Sequence, residues 1–246
     1  MSPGRRWLFA LLMLALGGPA HAQQPEPARA GVIVVVGGVG GWDPLPRSAE
    51  LVFPWAGVRH KVYDFVWTHG WGQLFRDLQD TPHVMRKACE LASEIVAFKE
   101  THPDRPVYLL AKSGGAGLVL LAAEQLPPNT LERIVLLSAA VSPGYDLRGA
   151  LRATRGEIVS FYSPFDRIIL YVGTSWFGTM DRVYGPSAGL LGFQVPPDLG
   201  DEELAMYGRL IQVRWNPSML LLGYAGMHSC NSLPLFLAGE IVPWMR

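Results

Sequence analysis

The sequence predicts an α/β fold, a mostly parallel sheet with helices packed on both faces. Three observations carry this expectation. Short apolar runs, several of them rich in β-branched residues, recur at 31–36, 61–66, 106–110, 131–137, 157–162 and 210–215, as in strands covered on both faces. Segments of helical periodicity lie between several of these runs, and such alternation implies parallel strands joined by right-handed crossovers. The length, 246 residues, suits one domain with a sizeable core.

The elements follow in order. Arg5 and Arg6 precede an apolar stretch from Trp7 to Leu16 and the small-x-small site Ala20-His21-Ala22. This is the layout of a secretory signal peptide, residues 1–22, cut after Ala22. The stretch is short for a bilayer span, which needs about 20 apolar residues. No stable membrane anchor is therefore expected after cleavage, and the mature chain is expected in the periplasm or outside the cell. Residues 23–30, with Pro25 and Pro27, read as a linker, and 31–246 as the domain.

The first strand, 31–36, ends in Gly37-Gly38-Val39-Gly40-Gly41. The second spans 61–66. Thr81 and Pro82 form a helix start, the hydroxyl as N-cap and the proline at the first helical position. That helix runs to about 100, with Met85, Ala88, Cys89, Ala92, Ile95 and Val96 at roughly helical spacing. A strand at 106–110 leads to a helix at 115–125, which Pro127-Pro128-Asn129 breaks. A strand at 131–137, a short helix at 146–154 and a strand at 157–162 follow. The last strand is 210–215, and a closing helix spans 233–244. The stretch from Arg167 to Arg209 is long and rich in Gly, Pro and aromatics, and is expected to cross over one face of the domain. Within it Trp176, Phe177 and Phe193 are expected to seal the core, with an acyl pocket as the alternative.

Composition excludes some functions. The chain carries 21 basic and 21 acidic residues and no basic run, so nucleic acid is not an expected partner. The glycine run lacks the last glycine of Gly-x-Gly-x-x-Gly, and Lys112-Ser113 lacks the glycines of a phosphate loop. No His, Cys or carboxylate group has metal-site spacing. No cofactor or metal is expected. Cys89 and Cys230 could pair in an oxidising compartment, or stay as two separate thiols.

The chemistry centres on Val107-Tyr108-Leu109-Leu110-Ala111-Lys112-Ser113-Gly114-Gly115-Ala116-Gly117-Leu118. An apolar run stops at a serine, two glycines follow, and an apolar helical stretch begins at once. This reads as strand, sharp turn and helix with a hydroxyl at the apex. The helix N-terminus brings free N–H groups and a positive dipole end beside that hydroxyl. The glycine run after the first strand lets backbone N–H groups approach a substrate oxygen. It is one half of a candidate oxyanion hole, and the N–H of Gly114 is the other. An acid, Asp166, follows the 157–162 strand. Of the six histidines, only His228 lies beyond the later strands, in a glycine-containing loop. All these positions fall at the carboxyl ends of strands, where open α/β sheets bind ligands. Asp146 competes with Asp166, but its place before Leu147 makes it a helix cap. His69, between Trp67 and Trp71, is expected to be a packing or surface histidine, with pocket lining as the alternative.

From Gly31 onward the chain resembles the α/β-hydrolase superfamily in its esterase- and lipase-like form. Val36-Gly37-Gly38-Val39-Gly40-Gly41 is similar to the family's His-Gly-x-Gly-Gly loop, with glycine in place of histidine. That match implies the N–H of Val39 as first oxyanion donor. Leu110 to Gly115 is similar to the Gly-x-Ser-x-Gly elbow, with Ala111 for the first glycine and Lys112 for the common histidine. The turn should aim Lys112 away from the hydroxyl, so it is not the base. The family's order of serine, acid and histidine implies Ser113, Asp166 and His228. The resemblance implies a fold with a minimal cap, a serine hydrolase acting on carboxylic esters, and a small-molecule or lipid ester as substrate. An acyltransferase, thioesterase or amidase would use the same triad. A non-catalytic binding protein on this scaffold is the alternative from another class.

Overall fold

The computed structural model describes residues 30–246. The expected signal peptide, 1–22, and linker residues 23–29 lie outside them. The domain begins with β1 (Val32–Val36), α1 (Leu45–Trp55), β2 (Lys61–Asp64), α2 (Leu74–Gln79) and α3 (Thr81–Thr101). It continues with β3 (Val107–Lys112), α4 (Gly114–Ala123), β4 (Arg133–Leu137), α5 (Arg148–Ala153) and β5 (Ile158–Tyr162). Short helical pieces fill 168–207, then come β6 (Leu210–Arg214) and a closing helical segment, 234–245.

The six strands form one sheet in the order β2-β1-β3-β4-β5-β6, every neighbouring pair parallel. The sheet expected to be mostly parallel is here wholly parallel. The period of two divides β1 between two cores. Val32, Val34 and Val36 pack under α3, α4 and α5, whereas Ile33 and Val35 pack under α1 and the closing segment. Helices thus cover both faces.

Chain order reverses beside β1: β2 lies on one side of it and β3 on the other. The loops after β1 and β3 therefore leave the sheet towards opposite faces and open a crevice between them. Both the glycine run and Ser113 border it, the position at which doubly wound sheets bind ligands.

Several local expectations need correcting. α1 and α2 were not foreseen. Pro44, Pro46 and Pro54 mask α1, although Leu45, Ala49, Val52 and Phe53 are its buried face. At α3 the cap is Asp80, whose carboxylate accepts the N–H of His83 at 3.0 Å; Thr81 is already the first helical residue. The closing segment is irregular, α-helical at Pro234–Phe236, widened through Leu237–Ile241 and tightened at Val242–Met245.

The connection from β4 to β5 holds only α5, so the cap is small. The 163–209 excursion is the main cover, and backbone bonds tie it down. Met180, Ala188 and Gly189 donate to the carbonyls of Ala140, Val141 and Ala139 in the loop after β4. Phe193 is buried as expected. Trp176 is not; it is 76% exposed, and Phe177 is half-buried against Phe75, ring centroids 5.1 Å apart. Cys89 and Cys230 are both free thiols.

Candidate active site

Ser113 connects β3 to α4 with φ 53° and ψ −123°, a left-handed conformation that costs free energy in a non-glycine residue. The surroundings hold it there. Its N–H donates to Leu137 O at 3.0 Å, and its carbonyl accepts from Ala116 and Ala140, both at 3.1 Å. The helix leaves the sheet so closely that a Cβ on Gly115 would stand 2.4 Å from Gly37 O, so only glycine fits.

Asp166 and His228 come together. His228 Nδ1 lies 2.7 Å from Asp166 Oδ2, the carboxylate almost fully buried and the ring one-fifth exposed. The loop carrying the histidine is anchored on three sides. Trp215 Nε1 donates to Tyr224 O at 2.9 Å, Asn231 Nδ2 donates to Ser138 Oγ at 2.8 Å, and Gly226 sits against Ser163 and Phe165. Burial pushes the Tyr224 phenol up to about 12, so it stays protonated near neutrality. Asp146 lies elsewhere. Its carboxylate takes the Arg148 guanidinium at 2.7 Å and the Arg148 N–H at 3.0 Å. The guanidinium bonds above all hold it below the usual carboxylate range.

The glycine run is shaped by two carboxylates that sequence reasoning missed. Asp43 Oδ2 accepts the N–H of Gly38 at 2.9 Å, and the fully buried Asp77 accepts that of Gly40 at 2.7 Å. Val39 is the residue between the two clamped amides. A Cβ on Gly38 would meet Ser113 Cβ at 3.3 Å, and one on Gly114 would meet Val39 Cγ1 at 2.7 Å. The run therefore lies directly on the elbow. Trp67 Nε1 fixes its start by donating to Gly37 O at 2.9 Å. Buried amides need acceptors, which is the one signal that could have led to Asp43, two residues past the run. Asp77 is 37 residues from Gly40 and gave none.

Lys112 has partners other than the Ser113 hydroxyl. Its Nζ donates to Ser232 Oγ at 2.8 Å and approaches Asp43 Oδ1 at 3.4 Å.

Beside the glycine run, His69 Nδ1 is 2.8 Å from Asp77 Oδ1 and Nε2 is 3.2 Å from Asp80 Oδ2. Its ring stacks on His83 at 3.9 Å, and His83 Nε2 is 2.6 Å from Trp67 O. The His83 N–H that Asp80 accepts, helped by the His69 ring, holds the Asp80 carboxyl below its ordinary range. His69 is thus a packing residue, nearly buried. Ligand atoms of His69, Asp80 and His83 lie within 4.8 Å of one another, a donor set able to hold a metal ion that their spacing did not announce.

A cavity of about 560 Å³ lies at the opposite edge of the sheet, lined by Arg59, His60, Tyr108, Glu132 and Arg246 among others. It is far along the strands from Ser113, and none of the candidate catalytic residues borders it. Among the described residues, no helix is long and apolar enough to cross a membrane.

No protein-family model matches the chain, and no curated protein matches it by sequence. Solved structures do. TT1662 from Thermus thermophilus is 15% identical over 89% of this chain and 88% of that one, with a TM-score of 0.49. A dienelactone hydrolase from Anabaena variabilis is 13% identical, covering 88% of this chain and 85% of its own, with a TM-score of 0.49. A Trichoderma reesei cutinase bound to a phosphonate inhibitor is 11% identical, covering 89% and 78%, with a TM-score of 0.41. At these identities and TM-scores the likeness assigns no activity to this chain.

Proposed function

We propose that this chain is a serine hydrolase of the α/β-hydrolase type, acting on carboxylic esters. The observation that supports this most is the 2.7 Å contact of His228 Nδ1 with the buried Asp166, at the same sheet edge as a strained serine elbow. In this reading the Nδ1–H of His228 donates to Asp166. That fixes the tautomer and leaves the Nε2 lone pair as base. Ser113 Oγ adds to the ester carbonyl while its proton passes to Nε2. The oxyanion is held by the N–H groups of Val39 and Gly114. Collapse expels the alcohol, which takes the proton from His228. Water then repeats the sequence on the acyl-enzyme and frees the acid. Superfamily membership and export through the 1–22 leader belong to the same proposal.

A fluorophosphonate probe tests it without knowledge of the substrate. The native protein should be labelled at Ser113, read by peptide mass, and Ser113→Ala should not be. A native protein that resists labelling would support the binding-protein alternative. Mature protein isolated from its host should begin at Gln23; retention of residues 1–22 would refute the leader.

A further inference from the structure

β3 alternates between the two cores, so Tyr108 and Leu110 point under α1 and the closing segment. Lys112 continues that face and ends in a place built for no cation by sequence alone. It is 2% exposed, at the end of a strand otherwise apolar. Its ammonium meets Ser232 Oγ at 2.8 Å and Asp43 Oδ1 at 3.4 Å. The other oxygen of Asp43 holds the N–H of Gly38, and Oδ1 also takes the N–H of Leu45 at 2.9 Å, at the start of α1. Ser232 ends the short turn Cys230–Ser232, just past His228. One buried charge, adjacent in sequence to Ser113, thus reaches the glycine run through Asp43 and the turn after His228 through Ser232.

Resting on the serine-hydrolase reading, we infer that Lys112 is a positioning residue. It sets the glycine run, through Asp43, and the histidine loop, through Ser232, at a fixed distance from Ser113. The physics favours this over simple stability. A buried ion pair contributes little net stability compared with apolar residues of similar volume, but breaking one partner leaves an unpaired charge. Such pairs are therefore better at fixing a register than at holding a fold. The oxyanion donors need that register, because a displacement of about 1 Å costs on the order of a hundredfold in rate.

Saturation kinetics with a fluorophosphonate read this out directly. In the labelling step Ser113 Oγ bonds to phosphorus, the P–F bond breaks, fluoride leaves, and the serine proton passes to His228. The phosphoryl oxygen occupies the oxyanion site. Lys112→Met alone would strand Asp43, and Asp43→Asn alone turns an amide NH2 towards the N–H of Gly38 or Leu45, so the deciding comparison is K112M/D43N against D43N, which share that loss and differ only at Lys112. The double variant should melt within a few degrees of the native protein. Its limiting rate of phosphonylation should fall at least tenfold below that of D43N, with the half-saturating probe concentration unchanged. Ser232→Ala, which keeps the ion pair, should slow the same step two- to fivefold. A merely structural role would instead lower the fraction of protein labelled and leave the rate of the folded fraction untouched. If K112M/D43N reacts as fast as D43N or, should the double variant not fold, Ser232→Ala reacts at the native rate, the positioning role is overturned. Failure of the native protein to react at Ser113 would overturn the serine-hydrolase reading instead, and the positioning role with it.

Discussion

The segments that follow β1 and β5 at the carboxyl edge of the sheet are built on opposite plans. On the β1 side, the glycine run is fixed by charge: Asp43, Asp77 and Lys112 are nearly or fully buried, and each is bonded. On the β5 side, residues 168–180 contain no Asp, Glu, Lys or Arg. There Ile168 is 78% and Trp176 76% exposed, and Tyr171 and Val172 are exposed beside them. Preorganised dipoles stabilise a developing charge only if they stay in place. Apolar side chains that select an acyl group need no such rigidity, and binding sites pair a few fixed polar groups with apolar walls. Under the proposed serine-hydrolase function, the difference would put the chemistry on the β1 side and substrate selection on the β5 side.

The largest effects should come from the groups both sides serve. Ser113→Ala should lower ester turnover by about 10⁴ to 10⁶ with an unchanged melting point, measured on a short soluble ester. Asp166→Asn should cost about 10⁴ through the wrong imidazole tautomer. Asp146→Ala should retain activity and lose about 1 kcal/mol of stability, as expected for a helix-start acceptor. A reversal of those two results would move the acid to the end of β4.

The β1 side breaks next. Asp77→Asn removes the charge from the carboxylate that takes Gly40 and His69. It should lower kcat by on the order of tenfold to a hundredfold while KM stays within twofold. A change confined to KM would mean that this loop binds substrate and does not hold the oxyanion. The β5 side should respond differently. Ile168→Ser and Trp176→Ser should leave stability within about 0.5 kcal/mol, as for exposed positions. They should lower kcat/KM for long acyl chains by roughly tenfold relative to short ones. Equal loss on both esters would erase the contrast between the two sides.

Sequence legibility followed the same division. β1, β3 and β4 are dominated by apolar residues buried on both faces, and that made them readable. The elbow was readable because its crowding demands small residues, as Gly115 against Gly37 O illustrates. The pairing of Asp166 with His228 was legible only through chain order after strands. The clamp on the glycine run was not legible, since Asp77 and Lys112 reach it from other elements and no local period marks a long-range hydrogen bond. α1 was hidden by its prolines, which here sit before or at its ends. Trp176 was misread because an aromatic in a glycine-rich stretch carries no sign of which way it faces.

The smallest expected effect lies outside both regions, at the far ends of β4 and β5, and serves as their control. Arg133 Nε and Nη2 donate to Glu157 Oε2 at 2.8 and 2.6 Å, and Nη1 reaches Trp244 O at 2.9 Å. These bonds, chiefly, hold the Glu157 carboxyl below the ordinary glutamate range. Because the folded value is depressed, the stabilisation is fully present above the unfolded value of about 4.3. It is lost as pH falls through the folded one. About a third of the carboxylate is exposed, so water screens the pair and its worth is at most about 1 kcal/mol. Glu157→Gln should therefore lower the urea midpoint slightly at pH 7, and the difference should shrink towards zero well below pH 4.3. Ester turnover should stay at the native rate. A deficit that is the same at both pH values would show that the loss comes from packing and not from the charge. A fall in turnover would show that the sheet transmits strain to the crevice along its whole length, and the contrast between its two sides would then not be local to their loops.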